Sequence, residues 1–397
     1  MLAERQAEAI AFLEQRRGRW VNNAFLGEEM LWREEAPELH QRLCSLSFDE
    51  VEAGERGELE LPEPFPTWRR RARIRLPRLA TVELPSRGWN RAIKGRKWAQ
   101  VEAFARVVLG NLPTDGSLVE WCSGKGHLGR NLCIWSGRPA RCIEIDPALC
   151  AAGRRRLRDE PVTFVTADVT EPSTAEHLHP GDSVLALHAC GELLAALLPA
   201  SDELGFLAAA PCCYHRTEQP FLGSQTMELD DQHVRLATVG ETCAGVATQR
   251  VRRREHAWRA ALDLLVREAT GEDRYHPTRP CKQSDITQRS FEEFVRWIAD
   301  DRGLPLPEFD PERAERAGWE RARVIRALGL VRAIYGRRLE HVLCTDRALY
   351  LEERGWSVEI GTFCGREVTP RNLAFVARPE RARGRPRPVD RRPPPGA

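Results

Sequence analysis

Three glycines, Gly124, Gly126 and Gly129, stand in G-x-G-x-x-G spacing within VEWCSGKGHLGRNL, residues 119 to 132. This spacing lets a chain turn sharply and present backbone N–H groups to a nucleotide-like ligand. In a nicotinamide site the entering strand is apolar to its end, and one acid about 20 residues later holds the ribose. Here the entering strand carries Glu120, with Cys122 where a glycine often stands. An anion at that point repels a pyrophosphate but suits an ammonium, directly or through water. Glu144, in RCIEIDP, lies 20 residues beyond Gly124 and is placed to accept two ribose hydroxyls. Asp168, in FVTADVT, is placed to receive an adenine amino group. An ammonium, a ribose and an adenine without phosphate describe S-adenosylmethionine (SAM), the expected cofactor. NAD is the lesser alternative, and an α/β domain whose acids merely cap helices is the plainest one. Gln100, in the helix entering the motif, is expected beside the same ligand.

Two further segments carry reactive side chains. ALHACGE contains His188, Cys190 and Gly191, and AAPCCYHRT contains Pro211, Cys212, Cys213, Tyr214 and His215. His188 or His215 suits a general base for a hydroxyl acceptor, and His188 also falls within reach of the cofactor. Tyr214 is expected to stack on a nucleobase or arene. The cysteines are read first as buried thiols, with a nucleophile, as in carbon-5 pyrimidine methylation, as an alternative. No metal is expected: adjacent cysteines rarely share one tetrahedral ion, and no C-x-x-C is present to help Cys190, Cys212, Cys213 and His215 form a zinc site.

These residues need elements to position them. Apolar runs at 118–122, 140–145, 162–167, 183–187 and 206–210 alternate with helical stretches, the pattern of β-α-β units with a parallel sheet whose ligands sit at the carboxyl ends of the strands. Strands four and five then lie beside strand one, and both cysteine segments face one crevice. The expected divisions are a helical region over 1–53, a proline-rich linker with short strands over 54–87, a ligand-binding core over 88–215, a helical insertion over 216–340, the end of the core over 341–379, and a disordered basic tail over 380–397.

Composition limits the remaining choices. With 397 residues and 42% hydrophobic content, the chain can bury a large core. It has no apolar run of the roughly 20 residues a membrane span needs, and its first residues lack a secretory apolar core. A cytoplasmic location with no membrane partner is therefore expected, and the 12 cysteines are read as reduced thiols. Net charge is only +2, but arginines cluster at 69–73, 154–158, 250–254 and 381–392. These clusters fit solvated faces as well as an RNA partner, RNA is carried forward as the expected substrate, and no obligate protein partner is evident.

The combination of WCSGKGHLG, LHACG and PCCYH, with KQSD later and TPRNLAFV near the end, resembles the family of the methyltransferase-like domain of glutathione S-transferase C-terminal domain-containing protein and its bacterial class I SAM-dependent relatives. More distantly it is similar to the tRNA 2′-O-methyltransferase family with paired His-x-Cys-Gly and Cys-Cys-His-His segments. The resemblance covers about 88–215 and 340–378. It implies a doubly wound, seven-stranded, Rossmann-like methyltransferase sheet with its last strand antiparallel, a SAM cofactor, and tRNA or rRNA as acceptor ahead of protein or a small molecule. The helical extension and insertion lie outside it, and glutathione chemistry is not implied. His215 stands where the nearest group often lacks a histidine. The alternatives are a non-catalytic module that binds SAM or S-adenosylhomocysteine (SAH), and an NAD-dependent oxidoreductase.

Overall fold

Short apolar runs bounded by glycine and polar turns assemble one sheet in the computed structural model of the chain, which describes residues 2–85, 88–91, 93–238 and 246–380. The strands are β1 (Leu118–Trp121), β2 (Ala140–Glu144), β3 (Val162–Thr166), β4 (Ser183–Leu187), β5 (Phe206–Ala210), β6 (Trp356–Thr362) and β7 (Leu373–Pro379), the first five each within a residue of their expected bounds. Their order is β3-β2-β1-β4-β5-β7-β6. β7 runs antiparallel to both β5 and β6, while β1 to β5 pair in parallel. β1 pairs with β2 on one side and β4 on the other, so the winding reverses there. The crevice beyond their carboxyl ends is the ligand position of such a sheet.

Alternate residues of each strand enter opposite layers, as the period of two requires. Leu118, Cys142, Leu185, Phe206 and Ala208 pack with Phe104 and Leu132 in one layer. Val119, Ile143, Val184, Leu207 and Ala209 pack with Leu13, Leu339 and Leu343 in the other.

The helices are α1 (Leu2–Glu14), α2 (Pro37–Cys44), α3 (Phe48–Arg56), α4 (Phe65–Ala72), α5 (Gly95–Leu109), α6 (His127–Ser136), α7 (Pro147–Arg154), α8 (Glu192–Ala195), α9 (Asp231–Leu236), α10 (Val246–Thr270), α11 (Gln283–Thr287), α12 (Phe291–Arg302) and α13 (Pro311–Glu352). α13 is 42 residues long and crosses the expected boundary at 340. Its Ala327, Leu330 and Val331 share a core with Leu39, Leu43, Val51 and Trp68, whereas its later turns join the sheet layer through Tyr335, Leu339 and Leu343. One rod thus joins the N-terminal helices to the sheet.

The expected short strands over 54–87 are replaced by α4 and an extended stretch that meets β6 only at the bridge between Arg78 and Thr362. Pro77 and Pro85 have no N–H to donate to a ladder, and two bonds hold the bridge, Leu79 N–H to the Thr362 carbonyl and Thr362 N–H to the Pro77 carbonyl. The basic tail over 381–397 lies outside the described residues. Among the described residues, no helix is long and apolar enough to cross a membrane.

Candidate functional site

The glycine turn between β1 and α6 is built from left-handed backbone. Cys122 has φ +56°, an uncommon conformation for a side chain, and Gly124 and Gly126 follow at +58° and +66°. A Cβ on Gly126 would stand 2.6 Å from the Phe164 ring, and one on Gly129 would stand 3.0 Å from both Cys142 Sγ and Glu120 Oε2. Glycine at these two positions lets α6 press against β2 and β3. A Cβ on Gly124 would meet nothing within 4 Å, so that residue presents an open side to the crevice.

Three acids flank this opening at the ends of adjacent strands. Glu120 is buried, and its carboxylate accepts the Gly129 N–H at 2.7 Å. Burial pushes it up to about 7, against the Gly129 N–H and the Lys97 ammonium, which pull it down. It therefore grips the start of α6 from beneath the turn. Glu144, also buried, accepts the Gly124 N–H at 2.7 Å and the Asp146 N–H at 3.1 Å. Asp168 accepts the hydroxyl and N–H of Thr170 at 2.7 and 2.9 Å, which hold it below the usual carboxylate range. The residues present fit a SAM molecule: Gly124 leaves the space, and Glu144 and Asp168 keep lone pairs free for hydroxyl or amino donors. Burial, with Glu144 beside it, pushes the Cys122 thiol up to about 12, so that side chain is neutral.

At the end of β4, His188 is left-handed with φ +63°. Its Nε2 lies 3.2 Å from Gln100 Oε1, while Gln100 Nε2 donates to the Val368 carbonyl at 3.3 Å. Gln100 thus ties α5 to two loops. Burial holds His188 at about 4, so the ring is neutral near pH 7, and donation from Nε2–H leaves Nδ1 as the lone-pair nitrogen.

Cys190 Sγ and Cys212 Sγ stand 2.8 Å apart, and Cys213 Sγ joins them in a group no wider than 4.8 Å. The facing thiols of Cys190 and Cys212 favour the thiolate of Cys213, while Cys212 is pushed up by the same contacts. His215 is half-buried; burial lowers it, and its Nδ1 has no hydrogen-bond partner among the described residues. Tyr214 corrects the stacking expectation. Its ring is 1% exposed, packs in the sheet core beneath the Arg347 guanidinium, and has no face open to a nucleobase.

Several contributors are not singled out by the sequence reading. His127, the first residue of α6, stacks on Trp89 at 6.4 Å and 23°, and burial lowers it to about 4. Asn131 holds both the N–H and the carbonyl of Trp89, at 2.7 and 3.1 Å. His127 and Asn131 fall within the glycine segment 119–132 and stand one turn apart on α6, a spacing that could have marked them. Further away, buried Asp346 accepts the N–H groups of Leu222 and Gly223 at 2.8 and 2.9 Å, anchoring the loop beyond β5 to α13.

Residues 96–220 match the model of a methyltransferase domain family. Among solved structures, the chain is similar to magnesium protoporphyrin IX methyltransferase from Synechocystis PCC 6803 with bound SAH, at 15% identity over 29% of this chain and 55% of that one, with a TM-score of 0.24. It is also similar to an rRNA methylase from Streptococcus thermophilus, at 15% identity over 30% and 70% of the two chains, TM-score 0.23. A third likeness is to the plantazolicin methyltransferase in complex with SAH, at 9% identity over 88% and 99%, TM-score 0.29. The chain therefore spans just over half the length of the first of these. Residues 96–220, which carry β1 to β5, are thus similar to a methyltransferase domain, and the seven-stranded order is that of a Rossmann-like α/β sheet.

Proposed function

We propose that the chain binds SAM at the junction of β1 and β4 and transfers its methyl group to RNA. The observation that carries the cofactor half is the open face of Gly124, with Glu144 bonded to its N–H. Glu144 would hold the ribose hydroxyls and Asp168 the adenine amino group, while Glu120 keeps the turn in place and sets a negative charge beneath the ammonium. Bound there, SAM supplies an electrophilic methyl carbon. A hydroxyl acceptor of that carbon would also have to lose its proton, with neutral SAH as the departing product. His188 Nδ1 is the proposed recipient of that proton, since Nε2 is occupied by Gln100.

RNA is favoured by a cavity of about 630 Å³ between α1, residues 74–79, α13 and β6, where Arg5, Arg75 and Arg78 stand beside Glu8 and Glu359. At its wall stands His341, whose Nδ1 has no partner among the described residues. Guanidinium groups around one concavity suit phosphates. The test is transfer of labelled methyl from SAM to RNA, protein and small-molecule fractions of a cell extract by the purified chain. Label in RNA is expected; label confined to protein or small molecules would move the acceptor to that class.

A second reading, a module that binds SAM or SAH without catalysis, is favoured by one observation. Burial keeps His188 at about 4, which makes it a weak base. SAH binding without label in any fraction would select that reading.

A further inference from the structure

We infer that Cys190, Cys212 and Cys213 bind a zinc ion that ties the loop after β4 to the loop after β5. The register of these strands pairs Leu187 with Ala210, so Cys190 and Cys212 lie three and two residues beyond paired positions and converge over the same strand ends. The three sulfurs lie within 4.8 Å of one another. Around a tetrahedral zinc with Zn–S near 2.3 Å, sulfurs stand about 3.8 Å apart, a spacing this group reaches with small adjustments. The adjacency of Cys212 and Cys213 is no obstacle, because the chain leaves its extended course after β5 and turns at Tyr214, bringing both sulfurs to Cys190.

The approach of Cys190 to Cys212, 2.8 Å, is nearer than the roughly 3.5–4 Å at which non-bonded heavy atoms rest and far longer than a disulfide of about 2.05 Å. Sulfurs that share a tetrahedral ion stand about 3.8 Å apart, so this pair must open by about 1 Å to bind one. Beyond the three sulfurs themselves, Cys190 and Cys212 contact the His188 carbonyl, at 3.4 and 3.6 Å, and no carboxylate or cationic side chain is bonded to them among the described residues. The backbone that carries them is fixed: His188 and Gly191 are both left-handed, and a Cβ on Gly191 would lie 2.1 Å from the Arg216 carbonyl oxygen. The two loops pass too closely for Cys190 to swing away. Thiolates select zinc among common divalent ions, and His215, with Nδ1 unpartnered two residues after Cys213, is the nearest nitrogen donor along the chain for the fourth position. On binding, each thiol releases its proton to solvent and gives its sulfur lone pair to the ion. This site does not depend on which acceptor is methylated.

The test is metal content of the full chain expressed with zinc and freed of loose metal. About one zinc per chain is expected, falling below about a tenth of that in Cys190→Ser and in Cys212→Ser, and unchanged in the remote control Cys281→Ser. Because a serine variant can misfold, the unmodified chain is also stripped and titrated with Co²⁺. A thiolate-to-cobalt charge-transfer band, erased by added Zn²⁺, is the expected result. The inference is overturned if the reduced, unmodified chain takes up neither zinc nor cobalt, if the triple serine variant retains the zinc, or if peptide mapping of the fresh protein finds Cys190 and Cys212 joined as a disulfide.

Discussion

His188 Nε2 lies 3.2 Å from Oε1 of Gln100, 88 residues earlier in the chain, and this contact decides which imidazole nitrogen is free. If Nδ1 takes the acceptor's proton, His188→Ala should lower turnover about 10²- to 10⁴-fold with little change in SAH affinity. His215→Ala should lower it less. Gln100 acts through the histidine as a positioning residue, so Gln100→Glu is the informative change. A carboxylate against Nε2–H favours imidazolium, and the acid limb of the rate profile, set near 4 by the buried histidine, should move to higher pH. A profile that does not move in the variant would remove His188 from the proton path.

Glu144 is bonded to Gly124 N–H at 2.7 Å, so it shapes the turn as well as offering acceptors to the ligand. Glu144→Ala should weaken SAH binding by about 1.5–3 kcal/mol. Glu144→Gln keeps an oxygen for the Gly124 N–H but loses the charge, and should fall between alanine and the unmodified chain. Calorimetry with SAH and NAD measures both effects, and tighter binding of NAD than of SAH would exclude the cofactor reading.

The parts legible in the sequence are those with a single local cause. β4 and β5 are five-residue apolar runs between polar turns, and their bounds coincide with expectation. The three acids could be placed on one side of the reversal between β1 and β4, because Glu120 lies in β1, Glu144 ends β2 and Asp168 follows β3. α13 was not legible as one element, since its apolar positions serve two cores in succession and trace no single stripe. Tyr214 was misleading for a related reason. An aromatic next to reactive cysteines looks like a platform, but the turn after β5 sends its ring into the layer shared with Leu343 and Cys344. The encounter of Cys190 with Cys212 needed the strand register, which composition and spacing do not specify.

Glu120 links the turn to pH. Its carboxyl, near 4.5 when unfolded, is pushed to about 7 by burial, so the folded chain holds a proton that the unfolded chain has lost. The stabilisation is fully present below the unfolded value and is lost as pH rises from about 4.5 through about 7, on the order of 3 kcal/mol in all. Glu120→Gln keeps an acceptor for the Gly129 N–H without the buried charge. The ligand-free variant should therefore melt higher than the unmodified chain at pH 8, and the difference should vanish below about pH 5. If the charge also holds the SAM ammonium, the same variant should bind SAH more weakly at pH 8. Equal melting of the two proteins across this range would mean that Glu120 is not buried in the folded chain as described.

RNA binding is tested through salt, because each phosphate neutralised by an arginine releases counterions and steepens the fall of affinity with ionic strength. Two surfaces are separable. Arg75 and Arg78 are exposed at the cavity beside α1, and changing both to alanine should weaken RNA binding and reduce the salt slope by about two. Residues 381–397 hold six arginines and one aspartate, and their removal should make the slope shallower still if they reach phosphates. The cut belongs after Glu380 rather than earlier, since β7 extends to Pro379 and Arg378 donates to the Asn111 side chain and carbonyl at 2.5 and 3.1 Å. An earlier truncation would damage the sheet and mimic a loss of RNA contact. Binding that ignores salt in the unmodified chain, or slopes identical in all three proteins, would mean that neither surface meets a phosphate backbone, and the acceptor would then be sought among proteins or small molecules.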